Sequence, residues 1–409
     1  MSNNTVKISF IGDIMCEHTR LDSYKKEDGS YDFSHLFSPC KDLFLKSDYV
    51  VANLETPVAG KELKYSFKDY NFNTPEEILS AIKNNGVNMV TTANNHCLDR
   101  GKRGIDYTID NLNNYGIDFT GTTHSNCAPK PFIKSVGKIK IGILSYTYGT
   151  EACYNGCYLN KKNDYLVNLF QKQELSSPLL RLLLKSNRLL VRVVRKALRV
   201  INPHFFKKSY EDYRQRNRRY RHKILNDIYY LKTNNVDIII ACLHTGGQFN
   251  DKPTQITQET CSFFIKNGVD LIVCNHEHIV QRIDFYDGKA VAYCLGNFTS
   301  NYGIERKPYN KQVQCSICFN VYLTKIDNTL SFDYSFNVLF SKLDSNGQIA
   351  TYPLYDLYIN TVNDNEKEEY ASLISQSVSR FVGIERKTVV PKKEYFVNDL
   401  LSERKMCND

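Results

Sequence analysis

The sequence predicts an α/β fold, and three observations carry that reading. Short β-branched runs alternate with polar, helix-like stretches as far as Asn301. Side chains able to bind metal stand directly beyond several of those runs. After Asn301 the texture changes to two longer alternating runs, so the C-terminal part is read separately. A chain of 409 residues, 42% hydrophobic and 12% aromatic, is long and apolar enough to bury a large core.

Taken in order, strands are expected at Val6 to Ile11, Tyr49 to Ala52, Met89 to Thr92, Phe119 to Thr120, Ile139 to Tyr146, Ile238 to Leu243, Leu271 to Cys274 and Ala290 to Tyr293. Helices are expected at Pro75 to Asn84, Gly104 to Asn114, Tyr220 to Thr233 and Thr254 to Lys266. Beyond Asn301, Gln314 to Lys325 and Thr329 to Leu339 read as a hairpin turning at Asp327 and Asn328, followed by a charged helix at about Glu366 to Phe381. The domain reading is therefore 5–301 as one α/β unit, with a helical insertion at about 160–223, and 302–409 as a C-terminal extension. No internal repeat is present.

The net charge of +9 is unevenly placed. Between Leu179 and Lys223 stand fifteen Lys or Arg and two acids, Glu211 and Asp212, leaving 38 basic and 42 acidic residues elsewhere. Arg181, Lys185, Arg188, Arg192, Arg195 and Arg199 fall at helical spacing on one face, with Leu and Val filling most of the rest. Such a segment fits an insertion packed on the protein's own core or an interfacial helix on an anionic membrane. Nucleic acid is the weaker fit, because the interleaved aromatics and arginines that follow include no base-reading motif.

The thirteen cysteines are scattered among apolar neighbours, as Cys242, Cys274 and Cys294 are, which suits reduced thiols in a core. Cys315 and Cys318 form a CxxC within a predicted strand, where that spacing puts them on opposite faces, against a zinc knuckle. The sequence begins with a strand rather than a basic, apolar leader, and has no long apolar span. The expected location is the cytoplasm, with peripheral attachment at the inner face of the membrane as an option.

The chemistry gathers at strand ends. GDIM brings Asp13, NLET brings Glu55, ANNH brings Asn95 and His96, HTGG brings His244, and NHEH brings His276 and His278. In α/β folds the carboxyl ends of strands open on a shared crevice, so these groups converge. Carboxylates, a carboxamide oxygen and imidazoles make a mixed N/O set suited to one or two ions of Mn, Zn or Fe.

The ordered series GDIM, NLE, ANNHCLDRGKRG, HTGG, NHEHIVQ and CLGNF, over roughly Val6 to Asn301, resembles the capsule-synthesis CapA family, a branch of the calcineurin-like metallophosphoesterase superfamily. The resemblance implies a four-layer αββα sandwich with its site at one rim. It implies Glu55 as a carboxylate bridging two ions, Asn95, His244 and His276 on one, and Asp13 and His278 on the other. His96 would protonate a leaving oxygen, with Asp99 orienting it, and Asn53, Asn94, Arg100 and Asn297 would face the substrate. Gly101 and Gly104 would permit the tight turn and close helix start after the ANNH loop.

Three positions depart from the superfamily pattern. Met15 stands where a ligating histidine is usual, although methionine is common in the CapA branch, so the Asp13 ion is short of a ligand. Cys97 stands where many relatives place an acid beside the catalytic histidine, and Glu277 replaces a common proline. The function expected is a metal-dependent hydrolase or transferase acting on an anionic polymer of the poly-γ-glutamate type, or on a phosphoester. The alternative is a catalytically weak subunit that docks on a membrane or synthase through its basic insertion.

Overall fold

A computed structural model describes residues 5–16, 21–66, 71–173, 217–299, 310–327, 329–344 and 346–406, with three isolated positions at 193, 196 and 197. The six cationic positions from Arg181 to Arg199 lie outside the described residues.

Fourteen strands are described: β1 (Thr5–Ile14), β2 (Tyr49–Leu54), β3 (Met89–Thr91), β4 (Asp118–Thr120), β5 (Phe132–Val136), β6 (Ile139–Thr147), β7 (Ile238–His244), β8 (Leu271–Asn275), β9 (Ile283–Tyr286), β10 (Lys289–Ala292), β11 (Cys315–Ile326), β12 (Thr329–Leu343), β13 (Ile349–Pro353) and β14 (Tyr395–Phe396). They form two sheets, in the orders β13-β12-β11-β1-β2-β3-β4, with β14 beside β12, and β5-β6-β7-β8-β10-β9. The longer helices are α1 (Glu77–Asn84), α2 (Gly101–Asn114), α3 (Arg218–Thr233), α4 (Gln255–Lys266), α5 (Leu354–Asn360), α6 (Asp364–Val382) and α7 (Val397–Met406).

Period-two alternation sends each strand's side chains to two faces, and the central strands β2, β7 and β8 are buried on both. Ile8, Phe10, Val51 and Phe319 of the first sheet share one core with Ile141, Ile143, Ile240 and Val273 of the second. On the outer faces, Val50 and Ala52 pack with Ile78, Leu79 and Ile82 of α1. Ile239, Ala241 and Ile272 pack with Ile228 and Leu231 of α3 and with Phe264 of α4. The result is the four-layer αββα sandwich. Helix α6 joins the inter-sheet core through Tyr370, Val378 and Phe381, with the Phe381 ring tilted against Phe336 at 4.7 Å. Asn363 caps its N-terminus by accepting from the Asn365 and Glu366 amides, and Gly383 ends it in the left-handed conformation.

The first sheet mixes directions. Its parallel part, β1-β2-β3-β4, aligns carboxyl ends, whereas β11 runs antiparallel to β1 from Thr5 opposite Thr324 to Phe10 opposite Phe319. β11 and β12 form the expected hairpin, closed near Asp327 with φ of 52°. Cys315 packs in the inter-sheet core and Cys318 in the outer cluster, on opposite faces of β11. Among the described residues no helix is long and apolar enough to cross a membrane.

Candidate metal centre

Parallel strands β1, β2 and β3 in one sheet and β7 and β8 in the other end at the same rim, and the following residues meet there. Asp13 is the penultimate residue of β1. Its register with the 296–298 segment depends on Gly12, where a Cβ would sit 1.9 Å from the Gly296 carbonyl oxygen. That close approach lets the Asp13 amide donate to the Gly296 oxygen at 3.1 Å and the Phe298 amide donate to the Asp13 oxygen at 2.9 Å. Asn297 is thereby held beside the site, with its Oδ1 2.8 Å from His278 Nδ1.

The His244 ring is the hub. Its Nε2 lies 2.7 Å from Asn95 Oδ1, 3.1 Å from His276 Nδ1 and 3.2 Å from Glu55 Oε1. Ligands about 2.1 Å from a divalent ion stand roughly 3 Å from one another, so this crowding matches a coordination shell. A second group lies on the far side of Glu55: His278 Nδ1 is 3.9 Å from Glu55 Oε2 and 3.5 Å from Asp13 Oδ2. Glu55 is common to both sets of side chains close enough to share an ion, Glu55–His276–His278 and Asp13–Glu55–His244, so the ligand sets cut across these two clusters. The backbone at this rim is strained, His276 having φ of 124° and His278 58°, values that cost about 1–3 kcal/mol each where the surroundings enforce them.

Hydrogen bonding leaves the acceptors open. Asp13 Oδ1 accepts from Asn53 Nδ2 at 2.7 Å, but Asp13 Oδ2 and both Glu55 oxygens accept none, although both residues are fully buried. An unpaired buried polar atom costs about 1–3 kcal/mol and more if charged, so such a set calls for a cation or water. Burial, reinforced by the neighbouring Asp13, pushes the Glu55 carboxyl well above its ordinary range. Burial acts the same way on Asp13, yet the His278 contact and the His244 and His278 rings outweigh it and hold that carboxyl below its usual value. Burial also drives His244 down to about 3 and His276 well below its ordinary value. Both are therefore neutral near pH 7 with a lone pair to give, so the His244–Glu55 approach is not an ion pair. The residues present fit a divalent cation, with hard oxygens and neutral imidazoles at ligand spacing around orphaned acceptors.

Beside this cluster stands His96, 1% exposed, its Nδ1 2.8 Å from Asp99 Oδ2. Asp99 Oδ2 also accepts the Phe72 amide at 2.8 Å, and the Phe72 ring packs edge-on to His96 at 4.6 Å. Asn94 ties the loop down, donating to the Leu54 oxygen at 2.7 Å and accepting the His96 amide at 3.1 Å. Asn53 is spent on Asp13 and on the Thr91 hydroxyl. Arg100 turns elsewhere: its donors go to the backbone oxygens of Lys64, Tyr65, Asn71 and Asp99. It braces the loops around the site. Met15 is buried, and its backbone pairs with the Thr299 hydroxyl in both directions. Cys97 is buried as well, and packs with Leu98 and Ile105.

Two contributors carried no sequence signal of the kind used above. Tyr148, just beyond β6, lays its ring 4.7 Å from His276; it stands past a strand end like the other site residues, but a phenol is not a usual ligand. Phe72 acts on Asp99 through a backbone amide, which any residue supplies. A cavity of about 570 Å³ lies away from this centre, between the edge strands β4 and β5. Its walls include Phe119, Phe132 and Lys223, and it lacks the convergent ligand set of the rim.

The fold is a two-sheet α/β sandwich whose shared rim carries a buried set of oxygen and nitrogen donors able to hold a metal ion. Residues 7–302 match the family described as bacterial capsule synthesis protein PGA_cap, and the chain belongs to that family. It is 24% identical over 317 residues to the capsule biosynthesis protein CapA of Bacillus anthracis, covering 76% of this chain and 64% of that protein. It is 23% identical over 314 residues to the PGA biosynthesis protein CapA of Bacillus subtilis (strain 168), covering 76% of this chain and 68% of the relative. The chain therefore spans less than two thirds of the length of the B. anthracis relative. Among solved structures it is similar to the Termus thermophilus sulfate thiohydrolase SoxB, at 10% identity and a TM-score of 0.40, covering 91% of this chain and 60% of that one.

Proposed function

We propose that the chain is a metal-dependent hydrolase or transferase of capsule biosynthesis, acting on an anionic polymer of the poly-γ-glutamate type or on a phosphoester. The observation that carries this is Glu55, whose two buried oxygens accept no hydrogen bond while His244 approaches Oε1 at 3.2 Å and His278 approaches Oε2 at 3.9 Å. The polymer class comes from the family resemblance and from the name of the B. subtilis relative, a PGA biosynthesis protein. One or two ions of Mn, Zn or Fe would be held by Asp13, Glu55, Asn95, His244, His276 and His278. Such an ion supplies Lewis acidity and an acidified water near neutral pH.

The chain's own residues do the rest. Asn297 fixes the His278 ring through Nδ1, and Asn53 holds the Asp13 carboxylate, so both keep their orientation toward the site. Asp99 holds His96 through Nδ1 at 2.8 Å, leaving Nε2 to deliver a proton to the departing oxygen or nitrogen. Asn94 and Arg100 keep that loop in place. Elemental analysis of purified protein is expected to find stoichiometric transition metal, with Mn- or Zn-dependent turnover of an aryl phosphodiester or of γ-linked glutamate oligomers. His276→Ala is expected to weaken metal binding by about 100-fold or more. Metal-free wild type that neither takes up added Mn or Zn nor turns over either substrate overturns the proposal.

A second reading rests on the excess of Lys and Arg between Leu179 and Lys223. It casts the chain as a docking subunit, bound peripherally to an anionic membrane or to a synthase complex. Flotation with anionic liposomes at low salt tests the membrane form, and failure of the wild type to float removes it.

A further inference from the structure

The carboxamide of Asn297 meets the centre in the same way as that of Asn95. Asn95 Oδ1 lies 2.7 Å from His244 Nε2, and Asn297 Oδ1 lies 2.8 Å from His278 Nδ1. Both side chains are fully buried, and in both the Nδ2 amide has no hydrogen-bond partner among the described residues. A buried asparagine that serves structure alone spends both ends, as Asn73 does: its Oδ1 accepts the Ala59 amide at 2.8 Å, and its Nδ2 donates to the Gly60 and Lys64 oxygens at 2.9 and 3.0 Å. Asn95 and Asn297 spend only the oxygen.

The backbone sets that oxygen where it is needed. Asp13 and Asn297 form an isolated parallel bridge, which sends their side chains to the same face. The Phe298 and Thr299 amides both donate to the Asp13 oxygen, at 2.9 and 3.2 Å, and lock the register. His278 Nδ1 then has three side-chain oxygens about it: Asn297 Oδ1 at 2.8 Å, Asp13 Oδ2 at 3.5 Å and Glu55 Oε2 at 3.9 Å. The two carboxylate oxygens accept no hydrogen bond. Ligands of one ion stand roughly 3 Å apart, and these contacts bracket that spacing. Two residues past Asp13, β1 leads into Met15, whose thioether is a poor partner for a hard divalent ion.

We infer that Asn297 is a metal ligand, its Oδ1 joining His278 and the carboxylates beside it on one cation, in place of the imidazole that Met15 does not supply. This rests on the metal reading above, and it replaces the substrate contact expected of Asn297 from the sequence. The contact that aligns the His278 ring also brings a hard, neutral oxygen to the ion. One hydrogen bond offsets little of the cost of an unpaired buried amide, whereas a share in a metal's binding free energy offsets it.

The test titrates the full chain with Mn²⁺ alone, by calorimetry and by equilibrium dialysis with elemental analysis. His278→Ala marks the binding event that involves His278. Asn297→Ala is expected to weaken that same event by at least about tenfold and to leave any other unchanged. Asn297→Leu removes the oxygen while keeping the volume, so it is read in the same way if the alanine variant folds poorly; thermal melting of the metal-free proteins checks this. Met15→His added to the Asn297 variant is expected to recover most of the loss, because one ligand replaces another. A residue that only aligned His278 would not be replaced by a ligand at position 15. Wild-type affinity in the Asn297 variants overturns the inference, as does a loss that Met15→His leaves in place or a titration that His278→Ala does not alter. Wild type that binds no Mn²⁺ overturns instead the metal reading on which it stands.

Discussion

Two buried polar clusters in this molecule are satisfied in opposite ways. On the first sheet, Asn320 donates to Ser335, Asn337 and Glu394 and accepts from Ser9 at 2.7 Å, while Tyr322 donates to Glu394 at 2.8 Å. Ser335 also donates to Glu394, and Asn337 donates to the Lys393 oxygen at 2.7 Å. None of these oxygens is left without a donor. At the rim, by contrast, Asp13, Glu55 and Glu277 keep acceptor oxygens with no hydrogen-bond partner, while His276 Nδ1 and His244 Nε2 stand 3.1 Å apart. A complete network specifies structure; an incomplete one, made only of ligand-type atoms, specifies something to be bound.

Three measurements would break or sharpen that contrast, beginning with the largest effect. His96→Ala is expected to lower turnover of an aryl phosphodiester by about 10²–10⁴-fold with metal content unchanged, since His96 lies beside the ligand set and not in it. Equal loss of metal in this variant would move His96 into the coordination shell. Next, Asn320→Ala strips four hydrogen bonds from the closed network and leaves Glu394 and Ser9 short of partners. A destabilisation of about 3 kcal/mol is expected in chemical denaturation, with metal affinity intact. Stability within about 0.5 kcal/mol of wild type would show that the network is dispensable.

The smallest effect is also the most diagnostic. Glu55 has its pKa raised in the folded, metal-free protein. Its contribution is fully present below the unfolded value of about 4.5 and is lost as pH rises, because the unfolded chain can then ionise freely while the folded site resists. Glu55→Gln is therefore expected to stabilise the metal-free protein by about 1 kcal/mol at pH 8 and by little at pH 4. With saturating metal the sign reverses, since the variant forfeits about 2.7 kcal/mol of linkage at a hundredfold excess over Kd. Thermal melts at the two pH values, with and without Mn²⁺, read both arms; destabilisation in every condition would make Glu55 an ordinary structural acid.

Much of this was legible because both signals were local. β-Branched runs gave β1, β2, β6, β7 and β8 to within a few residues, and ligand-type residues just past them gave the rim cluster. What escaped was short or amphipathic. β5 (FIKSV) and β9 (IDFY) mix apolar and charged residues, so they lack the continuous runs of buried parallel strands. For β9 a signal did exist: Asp287 and Gly288, with φ of 51° and 75°, form the two-residue turn that closes a hairpin with β10. The role of Arg100 was illegible for another reason. Its donors end on backbone oxygens of a loop some thirty residues away, and carbonyl groups leave no mark in a sequence.

The ladder between β1 and β11 carries a consequence for how the protein comes into being. The strand that carries Asp13 is made long before one of its two neighbours, which begins at Cys315, beyond the stretch matched by the family. Until the ribosome has passed Ile326 that neighbour is missing, and the nascent chain carries an unpaired, apolar edge that invites misassociation. Shortening the protein to its family-matched portion would leave the same edge open permanently, with Phe10 and Ile8 stripped of Phe319 and Val321.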